Sequence, residues 1–218
     1  MIVTIDGPAG AGKSSTAREL ARRLGFRFLD TGAMYRAVAL AAVRRGLPWD
    51  QPQALAELAD GLEISVTETA VLLDGEDVTR EIRTGAITKV TRFAASNSGV
   101  RATLVERQRR AVGDAHVVTE GRDQGTVVFP HAECKIFLVA SPEERARRRR
   151  LDLAARGEDV PFEQVLADQY ERDRSDAARA MGPLIKADDA LEFSTDGLQP
   201  HEVVDRLEAI VRARMAGN

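Results

Sequence analysis

Short apolar segments alternate with stretches of helical periodicity along most of the chain. Residues 2–5 are apolar or β-branched, and from Ser15 to Leu24 the apolar positions recur at helical spacing, which is the spacing of one helix face. Further helical stretches separate the candidate core strands, which are Ile2–Asp6, Arg27–Leu29, His116–Glu120, Lys135–Val139 and Leu191–Ser194. The alternation predicts an α/β protein of three layers, with a five-stranded parallel sheet flanked by helices.

Two segments interrupt this alternation. Leu62–Val78 contains short strand-like runs and two turn signals, the second being "DGED", and predicts a small antiparallel insertion. The segment "SPEERARRRRLDLAARGEDV" spans residues 141–160. Pro142 suits the first turn of a helix, and Glu143 and Glu144 favour its N-terminal end. An arginine-rich helix is therefore expected there.

Composition narrows the class of protein. The 218 residues suffice for one α/β domain with insertions, and the net charge of −3 argues against a general nucleic-acid binder. No apolar run is long enough to cross a bilayer. The sequence begins directly with a core strand, so we expect no leader segment and a cytoplasmic protein. Cys134 is the single cysteine and lies in the apolar run "CKIFLVA", where a buried strand residue is expected.

A glycine-rich motif lies between the first strand and the first helix. In "IDGPAGAGKSS", Gly7, Gly12, Lys13 and Ser14 match the P-loop pattern. Such a loop wraps phosphate oxygens with backbone N–H groups, while Lys13 reaches the β/γ-phosphates and Ser14 ligates Mg²⁺. A turn that binds nothing is the alternative, and the strand–loop–helix context argues against it. The predicted ATP-binding loop comprises Gly7, Pro8, Ala9, Gly10, Ala11, Gly12, Lys13, Ser14 and Ser15.

Polar side chains follow two further candidate strands. Thr31 and Arg36 come after the second strand in "LDTGAMYR", and Arg122 and Asp123 follow a later one in "TEGRDQGTVVFP". Loops at the carboxyl ends of strands line the ligand crevice of an open α/β sheet. The alternatives are structural: Thr31 as a helix cap, and the charged residues as surface or strand-end ion pairs.

A third polar group lies in "QYERDRSDAAR". Arg172, Asp176 and Arg179 are four and three positions apart, so on a helix they share one face. A solvated salt-bridge stripe is the alternative for this spacing.

Five motifs together resemble the bacterial cytidylate kinases, a family of P-loop nucleoside monophosphate kinases. They are "GPAGAGKSS", "DTGAMYR", "LDGEDVTREIRT", "EGRDQGTVVFP" and "ERDRSDAAR", in this order. The resemblance runs from about residue 2 to the C-terminus. It implies a P-loop kinase fold and a monomer that moves the γ-phosphoryl group of ATP, with Mg²⁺, to CMP or dCMP. CDP or dCDP and ADP are the implied products.

The same resemblance implies a layout for a single kinase domain over 1–218. The core would comprise 1–30, 100–140 and 185–218, the monophosphate-binding subdomain with the insertion 31–99, and a short arginine-rich lid 142–160.

Individual roles are also implied by the family. Thr31 and Asp123 would contact the cytosine ring, with Arg172 nearby, and Asp176 would hold the sugar. The acceptor phosphate would be gripped by Arg36, Arg101 and Arg122. Arg179 would lie near the transferring phosphoryl group, and Arg148 and Arg149 would close over ATP. The implied catalytic set is Lys13, Arg122, Arg149 and Arg179.

The chain departs from the family pattern at a few positions. Thr31 replaces the usual serine, Ser175 replaces an arginine of the "ERD" segment, and His131 replaces an aspartate. The role of Thr91 in the base site stays open. So do two other classes: a P-loop kinase acting on UMP, AMP or a non-nucleotide alcohol, and a nucleotide-dependent switch or RNA-associated protein that uses the arginine run. The sequence has no "NKxD" element for guanine, which counts against a switch GTPase.

Overall fold

The computed structural model describes residues 1–155 and 157–217. Arg156, in the predicted lid, and Asn218, at the end of the predicted core, lie outside the described residues. The strands are β1 (Ile2–Asp6), β2 (Arg27–Asp30), β3 (Ile64–Val66), β4 (Val71–Leu73), β5 (Glu76–Asp77), β6 (Val117–Glu120), β7 (Cys134–Val139) and β8 (Leu191–Ser194). The helices are α1 (Lys13–Leu24), α2 (Thr31–Arg44), α3 (Pro52–Gly61), α4 (Gly85–Ser96), α5 (Ser98–Val112), α6 (Pro142–Ala154), α7 (Phe162–Ala177) and α8 (Pro200–Ala216).

The main sheet confirms the predicted fold class. Its five strands are parallel and lie in the order β2-β6-β1-β7-β8. Each predicted core strand is present, with bounds that agree to within one residue at either end. The central strand β1 lies where the strand order reverses, and open α/β sheets bind ligands beyond the carboxyl ends of strands at such a point. The P-loop therefore leaves the sheet at the expected position for a ligand site.

Two compact units make up the chain: residues 1–26 with 118 onward, and residues 27–117. In the first unit β7 pairs with β1 and β8, and α1 packs against α8. Arg23 of α1 forms ion pairs with Asp205 and with Glu208, the latter at 3.3 Å. Helices α6 and α7 pack through a small apolar cluster of Ala146, Leu153 and Val165. These contacts hold the arginine-rich helix α6 against α7.

The second unit is built from α2–α5 and the predicted antiparallel insertion. Buried residues of α2, α3, α4 and α5 share one hydrophobic core with β4, and Trp49 stacks on Phe93 with ring centroids 5.0 Å apart. Strands β3, β4 and β5 form a small antiparallel sheet within the segment 62–78. Asp74 and Gly75 both have positive φ, +50° and +84°, as a two-residue hairpin turn requires.

One further property concerns membranes. Among residues 1–155 and 157–217, no helix combines the length and the apolar character needed to cross a bilayer.

Candidate active site

The P-loop backbone depends on glycine where it passes the neighbouring strand. Gly7 has a φ of +145°, and a Cβ added there would lie 2.0 Å from the carbonyl oxygen of Leu138 in β7. Any side chain would therefore collide with backbone that is itself held in the sheet. Gly12 precedes α1 with a φ of +93°, so the loop delivers its backbone N–H groups to the N-terminus of a helix.

Lys13 is buried at the start of α1. Its Nζ donates a hydrogen bond to the carbonyl oxygen of Pro8 at 2.7 Å, so the ammonium group curls back over the loop. Burial, together with the positive charges of Arg122 and Arg172, lowers the pKa of Lys13 to about 7, while Glu120 acts in the opposite direction. Lys13 therefore lies in an environment that disfavours its positive charge. A bound anion would stabilise that charge.

Ser14 and Glu120 form a pair of oxygen donors beside the loop. The Ser14 hydroxyl donates to Glu120 Oε1 at 2.8 Å, and Glu120 is buried at the end of β6. A hydroxyl and a carboxylate suit Mg²⁺, which binds one or two protein oxygens together with phosphate oxygens and water. The pair therefore fits the cation that accompanies ATP. No group of three or more His, Cys, Asp or Glu side chains that could hold a metal occurs among the described residues.

The segment after β6 is fastened to β1 through one carboxylate. Asp6 accepts hydrogen bonds from the backbone N–H groups of Gln124 at 2.8 Å and Gly125 at 2.7 Å. Burial raises the pKa of Asp6 to about 6 in spite of these bonds. Residues Gln124–Val128 form a short π-helical turn, a feature frequent at functional sites. Asp123 is buried and directly precedes this turn, and Arg122 is the residue before it.

The most charged part of the site is built around Asp176. Arg122 Nε donates to Asp176 Oδ2 at 2.7 Å, and Arg179 forms an ion pair with Asp176 Oδ1. Burial raises the pKa of Asp176, but the charges of Arg122 and Arg179 outweigh it and hold the pKa below its ordinary value. Arg172 is exposed and also acts on this carboxylate. The structure thus brings Arg122, Arg172, Asp176 and Arg179 together.

The predicted helix face needs one correction. Helix α7 ends at Ala177, so Arg179 lies beyond the helix and does not share its face with Arg172 and Asp176. The chain turns there, and the carbonyl of Asp176 accepts from the N–H of Leu184 at 2.9 Å. Arg179 reaches Asp176 from this turn.

The arginines of α6 have different environments. Arg148 pairs with Glu144 at 2.8 Å and donates to the Thr195 hydroxyl at 3.0 Å. Its Nη1 lies 4.0 Å from the position of a Cβ on Gly12, close to the loop. Arg149 is half-buried. Arg145 is buried and bonded to the P-loop carbonyl of Ala9. Sequence reasoning did not single out Arg145, because an arginine run gives no signal of which member points inward.

The remaining predicted residues lie in the second unit. Thr31 is buried as the first residue of α2, but it is Asp30 that caps the helix, accepting from Ala33 N at 2.9 Å. The alternative of Thr31 as the cap is therefore wrong. Arg36 is half-buried with its Nη1 3.6 Å from the Cβ position of Gly32.

Arg101 and Thr91 complete the predicted residues of the second unit. Arg101 is buried, bonds the carbonyl of Ala95 at 3.2 Å and lies over the ring of Tyr35. The Thr91 hydroxyl donates to the carbonyl of Ile87 at 2.7 Å within α4.

Comparison with known proteins identifies the family. The family model described as cytidylate kinase matches residues 3–213. The chain belongs to the cytidylate kinase family. A cytidylate kinase of Rhodopirellula baltica is 49% identical over 212 residues, which are 97% of this chain and 93% of that protein. A cytidylate kinase of Pelotomaculum thermopropionicum is 50% identical over 216 residues, covering 97% and 96%.

The cytidylate kinase family also occurs as part of longer proteins. A bifunctional pantoate ligase/cytidylate kinase of Synechococcus is 46% identical over 221 residues, which are 99% of this chain but 45% of that protein. The match takes in nearly all of this chain but less than half of that longer protein.

Solved structures with low identity share the fold. A shikimate kinase of Bacteroides thetaiotaomicron superposes with a TM-score of 0.51 at 14% identity, covering 97% of this chain and 98% of that one. An uncharacterised protein of Eubacterium ventriosum gives a TM-score of 0.54 at 9% identity, covering 98% of each chain. These similarities show that the chain has a P-loop kinase fold.

Proposed function

We propose that this chain is a cytidylate kinase that transfers the γ-phosphoryl group of ATP to CMP or dCMP. The observation that carries the proposal is the family match over residues 3–213, supported by relatives of 49–50% identity along nearly the whole chain. The P-loop, the Ser14–Glu120 pair and the Asp176 cluster are the parts that such a phosphoryl transfer uses.

The donor nucleotide would be held by the P-loop and α6. Backbone N–H groups of residues 7–15 would surround its phosphates, and Lys13 would neutralise the β/γ-oxygens. Arg148 and Arg149 are proposed to add positive charge from the lid. Ser14 and Glu120 would hold the Mg²⁺ that accompanies the nucleotide. Bound there, the cation would neutralise charge on the phosphate oxygens.

The acceptor would be bound by residues that the resemblance assigns. Arg122, with Arg36 and Arg101, is proposed to grip its phosphate, because planar guanidinium groups match phosphate oxygens in pairs. Thr31, Asp123 and Arg172 are proposed for the base and Asp176 for the sugar. Arg179 would neutralise the transferring group.

No covalent intermediate is required for this chemistry. Phosphoryl transfer depends mainly on in-line positioning and on neutralising charge at the equatorial oxygens. The arginines already held by Asp176 would supply fixed charge, and a closing lid would exclude water that would otherwise hydrolyse ATP.

The first test is ADP release from ATP and Mg²⁺ with CMP, dCMP, UMP, AMP or GMP, and without acceptor. We expect CMP and dCMP to be turned over far faster than the other acceptors. Equal ADP release without acceptor would contradict the proposal, and a preference for another monophosphate would shift it to another kinase of this fold.

The second test addresses the site itself. Arg122→Met should lower kcat with CMP by about a hundredfold or more, as is typical for loss of a group that stabilises transition-state charge. Arg147→Met is the matched control, because Arg147 is exposed and pairs with Glu144 on the same helix. An unchanged rate in Arg122→Met would remove Arg122 from the site.

A further inference from the structure

Arg145 is the one arginine of the α6 run that is almost fully buried. Its side chain is 4% exposed, whereas that of Arg147, two positions on, is 58% exposed. A buried guanidinium costs several kcal/mol unless hydrogen bonds and an ion pair satisfy it. The contacts of Arg145 therefore show what its burial achieves.

The guanidinium of Arg145 joins three elements. Its Nη1 donates to the P-loop carbonyl of Ala9 and to Gln169 Oε1, both at 3.0 Å. Its Nε donates to the carbonyl of Ala140 at the end of β7, also at 3.0 Å. Its Nη2 pairs with Asp173 Oδ2 at 2.7 Å. One planar group on α6 thus connects the P-loop, the end of β7 and helix α7.

The fit around the P-loop is close. A Cβ on Gly10 would lie 2.9 Å from Gln169 Nε2 and 3.2 Å from Arg145 Cβ, so both side chains press against the top of the loop. Asp173 lies next to Arg172 and three residues before Asp176 in α7. The same guanidinium therefore bonds the donor loop and the helix that carries two of the proposed acceptor residues.

We propose that Arg145 is a positioning residue that fixes the P-loop against α7 without itself touching the nucleotide. Its contacts with Ala9, Ala140, Gln169 and Asp173 use four of the five N–H donors of the guanidinium group, so it acts on ATP through the shape of the loop. The inference rests on the proposed function, because it takes the P-loop as the nucleotide site.

The test is direct titration with MgADP, followed by steady-state kinetics. Arg145→Met should weaken MgADP binding about tenfold, the usual effect of losing a charge-assisted hydrogen bond. Arg145→Lys should recover part of the loss. The KM for ATP should rise, while the KM for CMP changes much less. Arg147→Met is the control and should bind MgADP like the unchanged protein.

A second variant separates positioning from direct contact. Asp173→Asn removes the ion pair and leaves the guanidinium in place, so it should also weaken MgADP binding if Arg145 acts through the loop. Stronger or unchanged binding in Asp173→Asn would mean that Arg145 meets the nucleotide itself, and would overturn the inference. If Arg145→Met fails to fold, Asp173→Asn decides alone.

The two proposals fail in different ways. MgADP binding by the unchanged protein, with no loss in Arg145→Met or Asp173→Asn, would overturn the positioning role and leave the kinase proposal standing. No MgADP binding by the unchanged, folded protein would overturn the proposed function and, with it, the basis of the inference.

Discussion

Lys13 shows how one residue of the site is prepared for an anion. Its ammonium group is buried beside two arginines, and the nearby carboxylates of Glu120 and Asp6 do not fully offset them. Burial is the largest cause, and with the two arginines it lowers the pKa of Lys13 to about 7. Nucleotide phosphates would add negative charge beside the ammonium group, so binding should return the pKa of Lys13 towards its ordinary value near 10.

This predicts proton uptake when the nucleotide binds. At pH 8 most Lys13 side chains should be neutral in the free protein, so the protein should take up a large fraction of one proton per site on binding MgADP if the pKa of Lys13 rises from about 7 to well above 8. Calorimetry in buffers of different ionisation enthalpy measures the uptake. Lys13→Met should abolish the uptake. If the unchanged protein took up no proton on binding MgADP, the lowered pKa of Lys13 would be contradicted.

At the scale of the element, the start of α2 depends on a single carboxylate. Asp30 caps the helix through Ala33 N and also pairs with Arg83 Nη2 at 3.0 Å. Arg83 belongs to the "DGEDVTREIRT" signature, and its side chain is 42% exposed. The signature is therefore tied to the helix start where Thr31 is buried.

Replacing this cap should affect stability in a graded way. Asp30→Ala should lower the free energy of unfolding by about 1 kcal/mol, with a range of about 0.5–2 kcal/mol for lost N-caps. Asp30→Asn should cost less, because its amide oxygen can still cap the helix and can still accept a hydrogen bond from Arg83. Urea unfolding followed by the fluorescence of Trp49, in the same unit, measures both. Equal losses would mean that the ion pair, and not the cap, stabilises α2.

The sequence predicted the elements better than it predicted the contacts. Strands such as β1 and β7 are short, mainly apolar runs between polar turns, so their bounds could be read from the pattern to within a residue. The P-loop is also a local pattern. Arg145 could not be separated from Arg147 in this way, because its burial depends on Asp173 and Gln169, which are distant in the chain.

Two predictions from local residue type and spacing were wrong. Arg179 follows the helical spacing of Arg172 and Asp176, yet α7 ends before it. Thr31 is a good capping residue by type, yet Asp30 precedes it and caps α2 instead. In both cases the prediction depended on where a helix begins or ends, which residue type and spacing alone do not fix.

At the scale of the whole molecule, positive charge is offset close to where it occurs. The chain has 31 Lys and Arg against 34 Asp and Glu. Even in the arginine-rich helix, Arg147 and Arg148 pair with Glu144, and Arg145 pairs with Asp173. These pairs leave α6 a poor electrostatic track for a polyanion.

We therefore expect no general nucleic-acid binding. In filter-binding titrations with single- and double-stranded RNA at low salt, retention should stay at background at about 1 µM protein, where even non-specific binders begin to be retained. A chain variant with Glu144→Gln and Asp173→Asn is the matched comparison, since it frees arginines of α6. Strong retention of the unchanged protein that disappears with added salt would instead favour the RNA-associated class.

The bridge that Asp176 makes between Arg122 and Arg179 has a consequence for the cell's own anions. Two adjacent guanidinium groups without a counter-ion would attract small anions such as chloride, sulfate and orthophosphate. With the carboxylate in place, the three groups carry a net charge of +1 instead of +2, and a small anion must compete with an internal ligand that cannot diffuse away. Orthophosphate, which has no base or sugar to recognise, should therefore be a weak inhibitor.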